Sequence, residues 1–140
     1  MKIKANIQNS QGQNHVILTT NDNSHSIIIH PKSSGLGSSV NGGELLFLAL
    51  ATCYCNDIYR EAAKRNIPVE KVEVEVSGDF GAEGEGARNV SYSAKVHAKG
   101  TEEEIHKLME YTDTVAEIQN TLRAGTDVKL SKVEIAIASG

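Results

Sequence analysis

The sequence predicts an α+β fold with largely antiparallel sheet, its elements in the order βββ-α-ββ-αα-β and its strands grouped apart from its helices. Three observations lead there. Three β-rich segments crowd the first thirty residues, a long stretch from Glu44 to Arg65 contains neither Gly nor Pro, and two later segments, VEVEV and KVEIAIA, carry apolar residues at every second position.

In the first region IKANI alternates, HVILTT is apolar and β-branched, and HSIIIH is a continuous apolar run. QNSQGQN and NDN lie between them, and their Asn, Ser, Gly and Asp suit turns, so a three-strand meander is expected. Pro31 closes the third strand, and KSSGLGSSVNGG forms a Ser/Gly loop that is not a P-loop, because no Gly-Lys-Ser/Thr follows.

Asn41 followed by Glu44 has the spacing of a helix N-cap and its capping-box partner, which predicts a long helix over Glu44 to Arg65. Its first half is apolar on nearly every side, and its second half is polar with Ile58, Ala62 and Ala63 left for packing. A helix apolar all round is buried all round. In a chain of 140 residues that calls for sheet wrapped about it or for a second copy, so a homodimer is expected.

Pro68 follows, and VEKVEVEVSGDF places Val72, Val74 and Val76 on one face, Val69 just ahead of them, with Glu73 and Glu75 on the other. GDFGAEGEGARN is a loop, and VSYSAKVHA returns as the hairpin partner. Thr101 with Glu104 forms a second capping box, opening a helix whose apolar face carries Ile105, Leu108 and Met109. A shorter helix is predicted from Thr114 to Arg123, ending at Ala124-Gly125, and a last strand over KLSKVEIAIA, residues 129–138. No repeat or low-complexity linker divides the chain, so residues 1–140 are read as one domain.

Composition narrows the function. With 14 basic and 18 acidic residues the formal net charge is −4, and the basic residues are scattered, so no nucleic-acid partner is expected. The N-terminus MKIKANIQNS has no apolar h-region, and the apolar run Leu45 to Cys55 is too short to span a bilayer, so no membrane role and a cytoplasmic location are expected. The two cysteines, separated by one residue, cannot staple distant segments, which fits a reducing compartment.

Cys53 and Cys55 are the chemically distinctive residues. Residues i and i+2 on a helix lie about 200° apart, so the two thiols face nearly opposite ways and neither bond to each other nor converge on a metal ion. The His residues show no ligand spacing beside them, and no metal is expected. A free Cys also packs well as a small buried hydrophobe, which is the plain alternative for either one. A reactive thiol needs a lowered pKa, and Cys53 lies too far into its own helix for the N-terminal field to act. The charge has to come from elsewhere in the fold. All the arginines, Arg60, Arg65, Arg88 and Arg123, lie at or beyond the central helix.

GGELLFLALATCYCNDIYREAAKRNIPVEKVEVEVSGDF, a hairpin strand, and then TEEEIHKLMEYTDTVAEIQNTL together resemble the OsmC/Ohr superfamily of osmotically induced and organic-hydroperoxide-resistance proteins. In that family a Glu-Leu-Leu helix carries Ala-Ser-Cys or Ala-Ala-Cys, a Gly-Ile-Pro-(Leu/Val)-Glu turn leads into an alternating strand, and a Cys-Pro-Val-Ser helix comes near the end. The resemblance implies an intertwined homodimer with antiparallel sheets wrapped around long central helices. It also implies a role in the peroxide or oxidative stress response, with Cys53 at the position of the reactive cysteine and Glu44 similar to the glutamate that opens the helix. Cys55 is then an accessory thiol candidate, and Ala116 stands where the family's resolving cysteine falls. No metal or bound cofactor is implied, and reductant comes from an external dithiol such as dihydrolipoamide. Two expectations follow: thiol-dependent reduction of organic hydroperoxides through Cys53, or a catalytically degenerate dimer that binds a small hydrophobic ligand without turnover.

Overall fold

The computed structural model describes residues 1–138. It is an α+β protein whose elements run β1 (Ile3–Ser10), β2 (Gln13–Thr20), β3 (Asn23–Ile27), α1 (Gly42–Lys64), β4 (Val69–Phe80), β5 (Ala87–Ala98), α2 (Glu102–Val115) and α3 (Glu117–Ala124). Two compact units can be distinguished, one made of Met1–Ala49 and Ser77–Ser91, the other of Leu50–Val76 and the residues from Tyr92 onward. The helix α1 and the strands β4 and β5 contribute to both.

The first unit holds the meander β1-β2-β3, antiparallel throughout. Ile3 pairs with Thr20 at one end of β1 and Ser10 with Gln13 at the other, so the first turn needs only two residues. Gly12 occupies positive φ (74°) there, and Asn21 does so (54°) in the second turn, which is the backbone that short hairpin loops require. The third strand stops at Ile27, short of the expected HSIIIH run. The side chain of Asn14 explains the early end: its Nδ2 donates to the Ile29 carbonyl at 3.0 Å and to Ser38 Oγ at 2.9 Å, where a longer β3 would have continued the backbone ladder. In the same unit Phe47 stacks on Phe80 with ring centroids 5.9 Å apart.

The second unit contains the core that bears on function. Tyr54, Ile58 and Ala62 recur at fourfold spacing along α1 and bury against Leu108 of α2, with Val72, Val74, Tyr92, Ala94 and Val96 of β4 and β5 packed on them. The strict alternation of β4 thus delivers its valines to this core, and its glutamates fall on the other face. The Tyr54 hydroxyl donates to the Met109 carbonyl at 2.8 Å, tying α1 to α2. Thr101 caps α2 in a complete capping box: the Glu104 N–H donates to Thr101 Oγ1, and the Thr101 N–H donates to Glu104 Oε2, both at 3.1 Å. The helix α2 runs on to Val115, past the expected start of the short helix, and Ala116, in extended conformation and fully buried, separates it from α3. Gly125 ends α3 in the left-handed region at φ 65°.

Two expectations are corrected. Residues 129–138 form no strand. Their alternation is intact, but a strand exists only through pairing, and no strand of the described residues pairs with them. Val133, Ile135 and Ile137 are left 68, 79 and 88% exposed. The apolar first half of α1 is likewise incompletely covered, with Leu48 60% exposed in the single chain.

Candidate functional site

The helix α1 aligns Cys53, Asp57, Arg60 and Glu61 on one side, since residues four, seven and eight positions apart are stacked within a turn or two. The buried Tyr54, Ile58 and Ala62 fix the rotation of the helix and so the direction in which that side points. The N-terminus of α3 faces it. Gln119 docks α3 by donating from Nε2 to the Leu50 carbonyl at 3.0 Å, and the extended Ala116 turns the chain so that Glu117 and Ile118 arrive beside Cys53.

The sulfur of Cys53 is half-buried and lies 3.6 Å from Asp57 Oδ2 and 3.7 Å from Glu117 Oε2. Its single proton can be donated to either carboxylate. The Ile118 backbone N–H also acts on the sulfur and favours its thiolate form. Arg60 bridges the two acids, its Nη1 lying 3.1 Å from Asp57 Oδ1 and 2.8 Å from Glu117 Oε1, and its Nε donates to Glu61 Oε2 at 2.8 Å. Glu61 in turn takes Lys64 at 2.8 Å and Arg65 at 3.5 Å.

These contacts set the protonation states. Burial pushes the Cys53 thiol above its ordinary pKa; the Ile118 N–H opposes this, and the negative charges of Asp57 and Glu117 add to it. Burial likewise pushes Asp57 up to about 6, assisted by a hydrogen bond to Glu117 and by its charge, against the pull of Arg60. Glu117, stabilised first by the hydrogen bond from Asp57 and then by Arg60, is held well below the usual carboxylate range. The two carboxyls therefore share one proton in mildly acidic solution, and it resides on Asp57, the member in closer contact with the thiol. The sulfur and the two carboxylate oxygens lie within 4.8 Å of one another, close enough for a divalent cation, but Arg60 already supplies a positive charge to both carboxylates.

The other expected site residues have different partners. Glu44 is held in the N-terminal capping box of α1: its Oε1 accepts the Asn41 N–H at 2.9 Å, and its own N–H donates to Asn41 Oδ1 at 2.8 Å. Cys55 is a free thiol lining a shallow open hollow with Ala51, Thr52, Asn56 and Val74. The residues that sequence reasoning missed are Asp57, Arg60 and Glu117. The first two carried a signal, the spacing of four and seven residues from Cys53; Glu117 carried none beyond lying next to Ala116.

The sequence model of the family described as OsmC-like protein matches residues 35–131. No curated protein sequence matches the chain. Among solved structures the chain is similar to an OsmC-like protein from Mycoplasma pneumoniae, with 18% identity over 87% of this chain and 89% of that one and a TM-score of 0.61. It is also similar to an organic hydroperoxide resistance protein OsmC from Legionella pneumophila, with 22% identity over 92% and 94% of the two chains and a TM-score of 0.52. A third similar structure is the organic hydroperoxide resistance protein OhrB of Bacillus subtilis, with 18% identity over 92% and 96% and a TM-score of 0.53. At these identities the likeness is one of fold.

Proposed function

The chain belongs to the OsmC-like protein family, and from that premise we propose that it is a thiol-dependent reductase of organic hydroperoxides, acting in the peroxide stress response of the cytoplasm with Cys53 as the oxidised residue. The observation that carries the reading is the half-buried Cys53 sulfur, set beside two carboxyls that Arg60 bridges rather than in a wholly apolar shell.

The Cys53 sulfur attacks the terminal oxygen of R–O–O–H. An S–O bond forms as the O–O bond breaks, sulfur gives up two electrons, and Cys53–SOH and R–OH result. An external dithiol such as dihydrolipoamide then forms a mixed disulfide with release of water. Its second thiol displaces Cys53–SH, leaving the dithiol as a cyclic disulfide. The external dithiol is needed because Ala116 occupies the expected place of a second cysteine, while Glu44 is engaged in its cap and Cys55 lines a separate hollow.

We further infer a homodimer. Support comes from the exposed apolar residues Leu48, Val133, Ile135 and Ile137, which a second copy would cover. One observation favours a second reading: the Cys53 thiol is pushed up rather than down in pKa, as expected of a catalytically degenerate dimer that binds a small hydrophobic ligand.

Steady-state consumption of cumene hydroperoxide with dihydrolipoamide, compared among the wild type, Cys53→Ser and Cys55→Ser, separates the two readings. Turnover that persists in Cys55→Ser and vanishes in Cys53→Ser is expected. Wild-type consumption no greater than that of Cys53→Ser would favour the degenerate dimer.

A further inference from the structure

A thiol held protonated reacts slowly with peroxide unless its proton is removed as the S–O bond forms, and the alkoxide that departs needs a proton in return. The groups around Cys53 can meet both needs. Asp57 Oδ2 lies 3.6 Å from the sulfur, within reach of an S–H donor, and the carboxyl is buried. Arg60 fixes the opposite oxygen, Oδ1, at 3.1 Å, which aims Oδ2 at the thiol. Glu117, 3.7 Å from the sulfur on its Oε2, is itself tied to Arg60 through Oε1, so neither carboxyl can turn away from Cys53 without breaking an ion pair.

Resting on the peroxide-reducing reading above, we propose that Asp57 is the general base and acid of Cys53: it takes the thiol proton as sulfur attacks and delivers the same proton to the leaving alkoxide, while Glu117 and Arg60 position it. The balance is complete without another participant. The proton leaves Sγ for Asp57 Oδ2, the sulfur electron pair forms the S–O bond, the O–O pair departs on RO−, and the proton moves from Asp57 to give ROH. Asp57 ends as the carboxylate in which it began.

The charged and titratable groups facing Asp57 are Cys53 and Arg60 of its own helix and Glu117 of α3, with Glu61 acting through Arg60. Burial and Glu117 together place the Asp57 carboxyl near pH 6, so it is a carboxylate above that pH and able to accept the proton. Removing its charge has two opposite effects. The thiolate becomes easier to form, because a neighbouring negative charge is gone, and the peroxide reaction becomes slower, because the relay is gone. Alkylation by iodoacetamide needs only the thiolate, since iodide leaves without a proton. A merely electrostatic or structural Asp57 would change both reactions in the same direction.

The test compares two single-turnover rates at Cys53 across pH 5 to 9 in a Cys55→Ser background: alkylation by iodoacetamide and oxidation by cumene hydroperoxide. In Asp57→Asn, alkylation near pH 7 is expected to accelerate while peroxide oxidation slows on the order of 100-fold and loses its dependence on a group titrating near pH 6. Glu117→Gln, a change at a more exposed carboxylate, guards against misfolding of the first variant. In Glu117→Gln the Asp57 carboxyl remains, so the limb near pH 6 persists and moves to lower pH, because a negative neighbour of Asp57 has been neutralised. Equal acceleration of both reactions in Asp57→Asn, or an unchanged limb in both variants, would overturn the proposal and leave the peroxide-reducing reading intact. A parent protein that alkylates at Cys53 but does not react with the hydroperoxide would overturn that reading, and the relay with it.

Discussion

Cys53 is acted on by the backbone N–H of Ile118 and faces the carboxyls of Asp57 and Glu117, so a stabilising donor and two destabilising charges act on one sulfur. Burial adds to the destabilising side, and the thiol is raised above its ordinary value of 9.0. Its alkylation rate is therefore expected to keep climbing beyond pH 9 in a Cys55→Ser background, and a plateau below pH 8 would contradict the assigned surroundings. The sequence made Cys53 legible through the apolar helix and the family motif. Its chemical surroundings were less so. The requirement for a cation brought in by the fold could be stated, but Arg60, from the same helix, pairs with three carboxylates rather than with the sulfur, an arrangement for which the sequence holds no signal. Nor could it show that the helix N-terminus beside the thiol is that of α3 rather than α1, because that proximity comes from tertiary packing.

Among the elements, α2 holds the second unit together, and its sequence signals were the clearest in the chain. Thr101 and Glu104 were readable as a capping box, and the structure has both of its hydrogen bonds. Thr101→Ala is expected to cost about 1 kcal/mol, measured by urea denaturation. Leu108, read from spacing as part of the apolar face, is fully buried against Tyr54, Ile58 and Ala62. Leu108→Ala is expected to cost about 2 to 5 kcal/mol by the same measurement, far more than the cap. Near the end of α2, burial alone would raise Asp113, but the Tyr92 hydroxyl and Arg123, whose Nη2 lies 2.7 Å away, outweigh it and lower the carboxyl below its ordinary value of 3.8. Its stabilising contribution is thus present above the unfolded value and is lost as pH falls through the lower folded value. Asp113→Asn should accordingly melt lower than the wild type at pH 7, with the gap narrowing toward pH 2. A gap that widens in acid would contradict the pairing.

At the scale of the whole molecule, the α+β class and the order of the first eight elements were legible because each rests on local pattern: alternation, caps and turn residues. The end of β3 was not, since it depends on the side chain of Asn14 reaching the Ile29 carbonyl from elsewhere in the sheet. The strand read at residues 129–138 fails for a different reason. Periodicity records which side chains a segment would bury, not whether a partner strand is at hand, and among the described residues none pairs with it. Exposed Val133, Ile135 and Ile137 lead to an expected solution mass of twice the 15.1 kDa chain by sedimentation equilibrium, with Ile135→Lys shifting the population toward monomer. A wild-type protein that remains monomeric at high micromolar concentration would remove the support for a homodimer.

The central claim is that peroxide oxidises the sulfur of Cys53, and it is tested most directly by trapping the product. Reduced protein treated with one equivalent of cumene hydroperoxide in the presence of dimedone is expected to gain one adduct, located by peptide mass spectrometry at Cys53 and absent from Cys53→Ser. An adduct at Cys55 alone, or none at either cysteine while the hydroperoxide remains unconsumed, would contradict it.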